Sequence, residues 1–484
     1  MPLQSPGPAM PTDPLCLETA TNLTRLIHAG EVSCVEVLNA HLAQVEQFNP
    51  ALNAIVTLVP DKALAAARQL DRRIAAGDWP GSLAGIPVAH KDLTPTAGIR
   101  TTFGSPRFAD HVPTEDALVV TRLKNAGAVT IGKTNTPEWG AGSQTFNTLF
   151  GATANPYDLT RTCGGSSGGA ATALAARMVP LADGSDMGGS LRNPASFCNV
   201  VGLRVSPGRV PTLPAPMGWF TLGVTGPMAR TVEDCALMLS AIAGPDGRCP
   251  ISIPEDPGKF AGHLERDFTG TRIAFSSSFG DQVPVARSVR TVIETAVPVL
   301  ESIGITLADA CPDFGSADSI FKVLRAWSFA AAHAEALQAQ PAMYKDSIHW
   351  NVGEGLKLSG MDLALAEQAR TRLFLEVQAF MQVHEFLVLP VAQVTPFDIH
   401  TEWVREIEGE QMHTYIDWMK SCYFISVLGL PAISVPCGFT PDGLPVGLQI
   451  VGRHQADLEV LRLAYAFQQA TGHWQQLPGI LQAQ

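Results

Sequence analysis

The sequence predicts an α/β protein built on an open, mostly parallel mixed β-sheet with helices on both faces. Segments with helical and with strand periodicity alternate along nearly the whole chain, the pattern of successive βαβ units. The 484 residues are 46% hydrophobic and 16% charged, enough to bury a large core. No internal repeat or linker-like stretch divides them, so one domain over 1–484 is expected. Its core is placed at about 70–310 and 385–475, with insertions at about 315–384 and 396–425.

Taken in order, residues 1–14 are Pro-rich and read as extended. LETATNLTRLIHAG is an amphipathic helix stopped by Gly30. Ser33 with Glu36 forms a capping box that opens the helix CVEVLNAHLAQVEQF, which Asn49-Pro50 is expected to end. LNAIVTLV reads as a strand and DKALAAARQLDRRIAAG as a helix closed by Gly77. LAGIPVAHKD is a buried strand that delivers His90, Lys91 and Asp92 at its end. EDALVVTRLKNAG and AVTIGKT make a helix–strand pair, and NTPEWGAGSQTFNTLFGATANPYD is irregular and polar. Further on, RTVEDCALMLSAIAG is a helix capped by Thr231. TRIAFSS, SVRTVIETAVPVLESIG and ITLADA form a strand–helix–strand unit. Residues 315–384 are mostly helical and EFLVLPVAQV is a strand; 396–419 is an irregular or helical insertion. LPAISVPCGF and LPVGLQIVG are strands joined by the turn 440–443, and DLEVLRLAYAFQQATG is a closing helix.

Composition narrows the function classes. A net charge of −12 without a Lys/Arg run argues against nucleic acid or an anionic membrane as partner. Nine scattered cysteines without a CxxC pair read as reduced thiols, not a disulfide framework or zinc site. The start MPLQSPGPAMPTDP has neither a basic end nor an apolar run, so no signal peptide is expected. No apolar stretch is long enough to span a bilayer, and a soluble, cytoplasmic protein is the expectation.

The stretch 162–211, TCGGSSGGAATALAARMVPLADGSDMGGSLRNPASFCNVVGLRVSPGRVP, carries the chemistry. Nine glycines fall between Gly164 and Gly208, a density that lets backbone approach a ligand closely. GGSSGG runs straight into the helix AATALAARM, so its N–H groups sit at a positive helix end. VPLADGSDMGGS then reads as a strand, a turn and a second glycine pair ending on Ser190. Two glycine-flanked serines, Ser166 and Ser190, suggest two loops folded against one pocket, where a plain glycine-rich surface loop would be polar throughout. In Asp186-Met187-Gly188-Gly189-Ser190, successive small residues leave N–H groups able to converge on a developing oxyanion. Asp186 and Arg192 flank the serine with opposite charges and suit an ion pair that holds the loop.

A serine nucleophile needs a base. Lys91 ends an apolar strand, and desolvation there would lower its pKa; the alternative is a lysine emerging to solvent or pairing with Asp92. His90 points to the opposite face of the strand and packs behind. Other motif matches are weaker. GGSSG fits the G-x-S-x-G nucleophile elbow, but the preceding NPYDLTRTC does not read as the strand that elbow requires. No GK[ST] follows to make a P-loop, and Ser319–Lys322 matches S-x-x-K only formally, inside an apolar helix.

Taken together, GIPVAHKD, GGSSGGAATALAA, DMGGSLRNPASFCNVVGLRVSPGRVP and LPAISVPCGF…GLPVGLQIVGR resemble the amidase signature hydrolases, in order and spacing, over roughly residues 15–475. That resemblance implies Ser190 as nucleophile, Ser166 as a bridging serine held by a cis peptide, and Lys91 as the ultimate base. It also implies oxyanion donors from Met187, Gly188, Gly189 and Ser190, and no metal or organic cofactor. Gly140, in WGAGSQTF, is placed with the substrate-binding residues, and Asp186, Arg192 and Ser167 are placed in support. Two departures, Ser185 for the usual threonine and Arg204-Val205-Ser206 for the usual Lys-Pro-Thr, are expected to lie clear of the triad. The glutamine-using A-type subunits of tRNA-dependent amidotransferases carry an acidic residue about ten positions before the glycine of "GLPAIS"; here that position is Met419. With the apolar insertions facing the substrate, the resemblance implies a free-standing hydrolase of small apolar or aryl amides and carbamates (urethanes), and of esters. Its partners would be substrate and water, and the chain a monomer or homodimer. The alternatives are a glutamine-hydrolysing amidotransferase component of that type, an elbow-type esterase, or a silent binding protein, which would be expected to have lost a triad residue.

Overall fold

The computed structural model describes residues 12–482. The Pro-rich start therefore falls almost wholly outside the described residues. Eleven strands form the main sheet: β1 Ile55–Leu58, β2 Pro87–Lys91, β3 Val129–Thr134, β4 Leu181–Asp186, β5 Val201–Arg204, β6 Val224–Ala229, β7 Arg272–Phe275, β8 Thr306–Asp309, β9 Phe386–Pro390, β10 Ala432–Phe439 and β11 Pro445–Val451. Across the sheet they run β1-β3-β2-β4-β6-β5-β10-β11-β9-β7-β8. The pairs β2–β3, β2–β4, β7–β8 and β7–β9 are parallel. The other neighbours, including the whole middle from β4 to β11 and on to β9, are antiparallel. The mixed sheet flanked by helices is as expected, but its balance lies further towards antiparallel than helix–strand alternation implied. The β10–β11 hairpin and strands β5 and β6 shift that balance.

Burial explains the strands. β2, β5, β9 and β11 are buried along their whole length. The helix Gly168–Ala175 is buried on every side. Only small residues let a helix lie that close to a sheet, which accounts for GGAATALA. One hydrophobic cluster runs from Ala20 to Leu481. All nine cysteines are free thiols, and no helix among the described residues is long and apolar enough to cross a membrane.

Several boundaries differ from expectation. The Cys34–Leu52 helix continues through Pro50. Pro50 sits in the last turn, where its missing N–H removes one bond only, and Asn53 at φ 51° closes the helix by donating its N–H to Asn49 O. The helix expected over 288–304 is two, Arg287–Glu294 and Ala296–Ser302, because Pro298 has no N–H to give Glu294 and its ring crowds that carbonyl. The polar segment before Ser166 does contain a strand, Asp158–Thr162. It pairs with Ala154–Asn155 in a separate ribbon outside the main sheet. Strands β5 and β6 and the helix Arg192–Phe197 were not foreseen; β6 carries Gly226 and Pro227, which mask a strand pattern. The helices Ala317–Ala339, Asp346–Leu356 and Gly360–Val383 fill 315–384, whereas 396–419 is irregular, with a small hairpin at 406–411.

Candidate active site

The parallel strands β2 and β4 end side by side, and their carboxyl ends carry Lys91 and Asp186. This is where open α/β sheets place their ligands. Lys91 has no exposed surface. Its Nζ lies 2.8 Å from Ser166 Oγ, 2.9 Å from Ser167 Oγ and 3.1 Å from Ser185 Oγ. Burial pushes its pKa down to about 7, with Asp186 and Asp183 opposing that shift from a distance. The neighbouring side chains turn away, as strand alternation requires. His90 Nδ1 is 2.6 Å from Asp183, and Asp92 accepts from the Thr102 N–H. Ser185 is therefore not clear of the triad as expected. Its hydroxyl is one of three that surround the Lys91 amine.

The two serine loops are one structure. The Gly165–Ser166 peptide is cis, as the resemblance implied. Ser143 Oγ donates to Gly165 O at 2.9 Å and in turn receives Asn193 Nδ2 at 2.9 Å; Thr145 Oγ1 donates to Gly164 O at 2.9 Å. The Ser167 N–H donates to Ser190 O at 3.1 Å and so ties the first loop to the second. Gly140, at φ 69°, lies over Ser166: a Cβ there would stand 3.3 Å from Ser166 Oγ. Ser143, Thr145 and Asn193 were not foreseen. Their hydrogen-bonding side chains sat in stretches read as polar and irregular or as loop, with no spacing to single them out.

The second loop hangs on Asp186. Its carboxylate accepts from the N–H groups of Gly189 (2.9 Å) and Leu191 (3.2 Å), and from Arg192 Nε and Nη2 (both 3.0 Å). Arg204 Nη1 adds bonds to Asp186 O at 2.6 Å and Oδ1 at 3.2 Å. Burial alone would raise the pKa of this carboxyl; Arg192 and Arg204 instead hold it well below the usual carboxylate range. The expected Asp186–Arg192 pair is thus present, with Arg204 as a further member. A charge inside the apolar run VVGLRV was the available signal for Arg204. Of the four oxyanion donors named from the resemblance, Gly189 has its N–H turned to Asp186. Its φ of 112° shapes the loop, and a Cβ there would meet Asn193 Nδ2 and Cys422 Cβ at 2.6 Å.

Ser166, Ser190, Met187 and Gly140 line one cavity of about 370 Å³. Its walls are largely apolar, with Leu93, Val210, Met217, Phe220, Ile251 and Phe329 among them. Of the two insertions expected to face substrate, 315–384 contributes Arg325 and Phe329. The segment 396–425 contributes no described lining residue. Segment 208–225, with a cis Leu213–Pro214 peptide, forms that wall instead. Ser319–Lys322 lies apart from the cavity, Lys322 pairing with Asp318 and Asp417. Among the described residues no group of three or more His, Cys, Asp or Glu is placed to hold a metal ion.

A family model described as Amidase matches residues 36–461. The chain is similar to an acylamidase of Rhodococcus erythropolis, 36% identical over 454 residues that cover 93% of this chain and 94% of the relative. It is equally similar to the A-type subunit of the glutamyl-tRNA(Gln) amidotransferase of Ralstonia nicotianae, 36% identical over 94% of this chain and 97% of that one. In structure it matches a bacterial aryl acylamidase belonging to the amidase signature enzymes. The TM-score is 0.91 at 28% identity, covering 98% of this chain and all of that one. The peptide amidase of Stenotrophomonas maltophilia matches with a TM-score of 0.81 at 27% identity, over 96% and 99% of the two chains.

Proposed function

The chain belongs to the amidase signature family, an amide-hydrolysing family, and on that premise we propose that it is a free-standing hydrolase of small apolar or aryl amides and carbamates, and of esters. The observation that carries this reading is the buried Lys91 amine, 2.8 Å from Ser166 Oγ, with Ser166 and Ser190 lining the same apolar cavity. Neutral Lys91 takes the Ser166 proton while Ser166 takes that of Ser190, and Ser190 Oγ bonds to the substrate carbonyl carbon. The oxyanion is received by the N–H groups of Met187, Gly188 and Ser190, since that of Gly189 is held by Asp186. When the C–N bond breaks, the leaving nitrogen regains a proton through Ser166 from Lys91. Water activated along the same chain then releases the acyl group (an alkoxycarbonyl group when a carbamate loses its amine) from Ser190.

The amidotransferase relatives favour a second reading, hydrolysis of glutamine for a partner protein. Against it stands Met419 at the position that resemblance makes acidic. Asp417, the acid nearest to it, is engaged by Lys322 at 2.8 Å and by the Thr414 N–H at 2.7 Å. The elbow-type reading is disfavoured because the strand before Ser166 lies outside the main sheet. A panel of substrates separates these readings. The purified chain alone should release aniline from an anilide and from an N-phenyl carbamate, cleave a nitrophenyl ester, and liberate no ammonia from glutamine. Glutaminase turnover, or a requirement for a second protein, would overturn the reading.

A further inference from the structure

Arg325 is a cavity-wall cation whose contacts include no carboxylate. It stands on the Ala317–Ala339 helix, is 5% exposed, and lines the cavity with Ser166 and Ser190. Its Nη1 donates to Met187 Sδ at 3.3 Å and its Nη2 to the Tyr415 hydroxyl at 2.7 Å, while Nε has no acceptor. The guanidinium carbon lies 4.5 Å from the centre of the Phe329 ring. A thioether and a phenol are weak acceptors, and an aromatic face attracts a buried cation less than an anion does. Of the other buried arginines, Arg192, Arg204 and Arg209 each have a carboxylate, whereas Arg177 and Arg230 donate to the carbonyls of Leu174 and Glu18 and do not line the cavity. The charges around Arg325 do not supply one. Asp186 is bound by Arg192 and Arg204, Glu138 accepts from Ser105 Oγ and the Lys345 N–H, and Lys345 is itself a cation, donating to Ala141 O. A second donor in the same wall, the indole N–H of Trp139, also has no acceptor.

We propose that Arg325 determines specificity by binding a carboxylate of the substrate. The amides and carbamates accepted would carry an anionic carboxylate on their acyl or their amine portion, seated at Arg325 while the scissile carbonyl meets Ser190. This rests on the reading of the cavity as the active site. It is tested with three anilides of similar size: neutral butyranilide, succinanilate with its carboxylate on the acyl side, and 4-acetamidobenzoate with its carboxylate on the amine side. In Arg325→Gln, the ratio of kcat/KM for one carboxylated anilide to that for the neutral one should fall about 30-fold relative to the native chain, mainly through KM. Arg325→Lys should recover part of that ratio. An unchanged ratio, with all three substrates losing rate together, would overturn the proposal and leave Arg325 as a support for Met187. The native chain gives a measurement independent of whether the variant folds: 3-phenylpropanoate should inhibit anilide hydrolysis about tenfold more strongly than 3-phenylpropan-1-ol. Equal inhibition by the two also overturns the proposal. If the native chain cleaves none of the three anilides, the activity reading fails and the inference with it.

Discussion

Lys91 is surrounded by three hydroxyls and no carboxylate, and that environment sets how it titrates. A lysine in water is neutral in about one molecule in 2,500 at pH 7. With burial bringing its pKa to about 7, roughly half of the Lys91 amines are free to accept a proton at that pH. Activity should therefore rise with pH through about 7 and stay level above it, because only the neutral amine acts as base. The sign for stability is the same. Between about pH 7 and 10.5 the unfolded chain holds a proton that the native Lys91 has released, so stability rises with pH across that window. Lys91→Ala should lose at least about a thousandfold in kcat and regain rate at high pH, where hydroxide partly replaces the amine. A variant that kept the native pH profile at near-native rates would make Lys91 structural. That Lys91, Ser166 and Ser190 come together was legible in the sequence because each sits in a glycine-rich or strand-end motif. Ser185, Ser143, Asn193 and Arg204 were not, since their roles depend on partners that only the fold brings near.

Elements read correctly were those with local signals. Ser33 and Thr231 cap their helices as their side chains predict, and Gly77 at φ 80° follows the end of Pro60–Ala75. What escaped were joins between distant elements. Asp234, in the first turn of Val232–Ile242, accepts the N–H groups of Ala20 at 2.9 Å and Thr21 at 2.8 Å, with the Thr21 hydroxyl at 2.8 Å. From the first turn of its own helix, which Thr231 caps, this carboxylate thus receives the free N–H groups at the start of Ala20–His28, more than two hundred residues away in sequence. Asp234→Ala would strand these donors in a mostly buried joint, so unfolding free energy in urea should fall by about 3 kcal/mol. Activity at a temperature where the variant stays folded should remain near native. An unchanged urea midpoint would show that the joint contributes nothing. The split of 287–302 into two helices and the persistence of the Cys34–Leu52 helix past Pro50 both turn on where a proline falls within its turn, a distinction that composition alone does not make.

Over the whole molecule, the site is closed by elements far apart in the chain. Arg192, just after Ser190, donates to Cys422 O at 3.0 Å, to Gln449 on β11 at 2.6 Å and to Ser426 Oγ at 2.8 Å. The second half of the chain therefore clamps the loop that carries Ser190, while β2 and the 143–145 segment hold Ser166 from the other side. The α/β class followed from periodicity, whereas the strand order β4-β6-β5-β10-β11-β9 depends on pairings between segments up to about 230 residues apart that no local pattern encodes. The proposed mechanism makes Ser190 the group that becomes acylated. The most direct measurement is peptide mass spectrometry after brief exposure to an O-aryl carbamate, which loses its phenol to the serine and leaves a slowly hydrolysed carbamoyl group. The native chain should carry one carbamoyl group, on the peptide containing Ser190, and Ser190→Ala should carry none and turn over no substrate. A carbamoyl group on Ser166 or Ser167, or turnover by Ser190→Ala, would contradict the assignment.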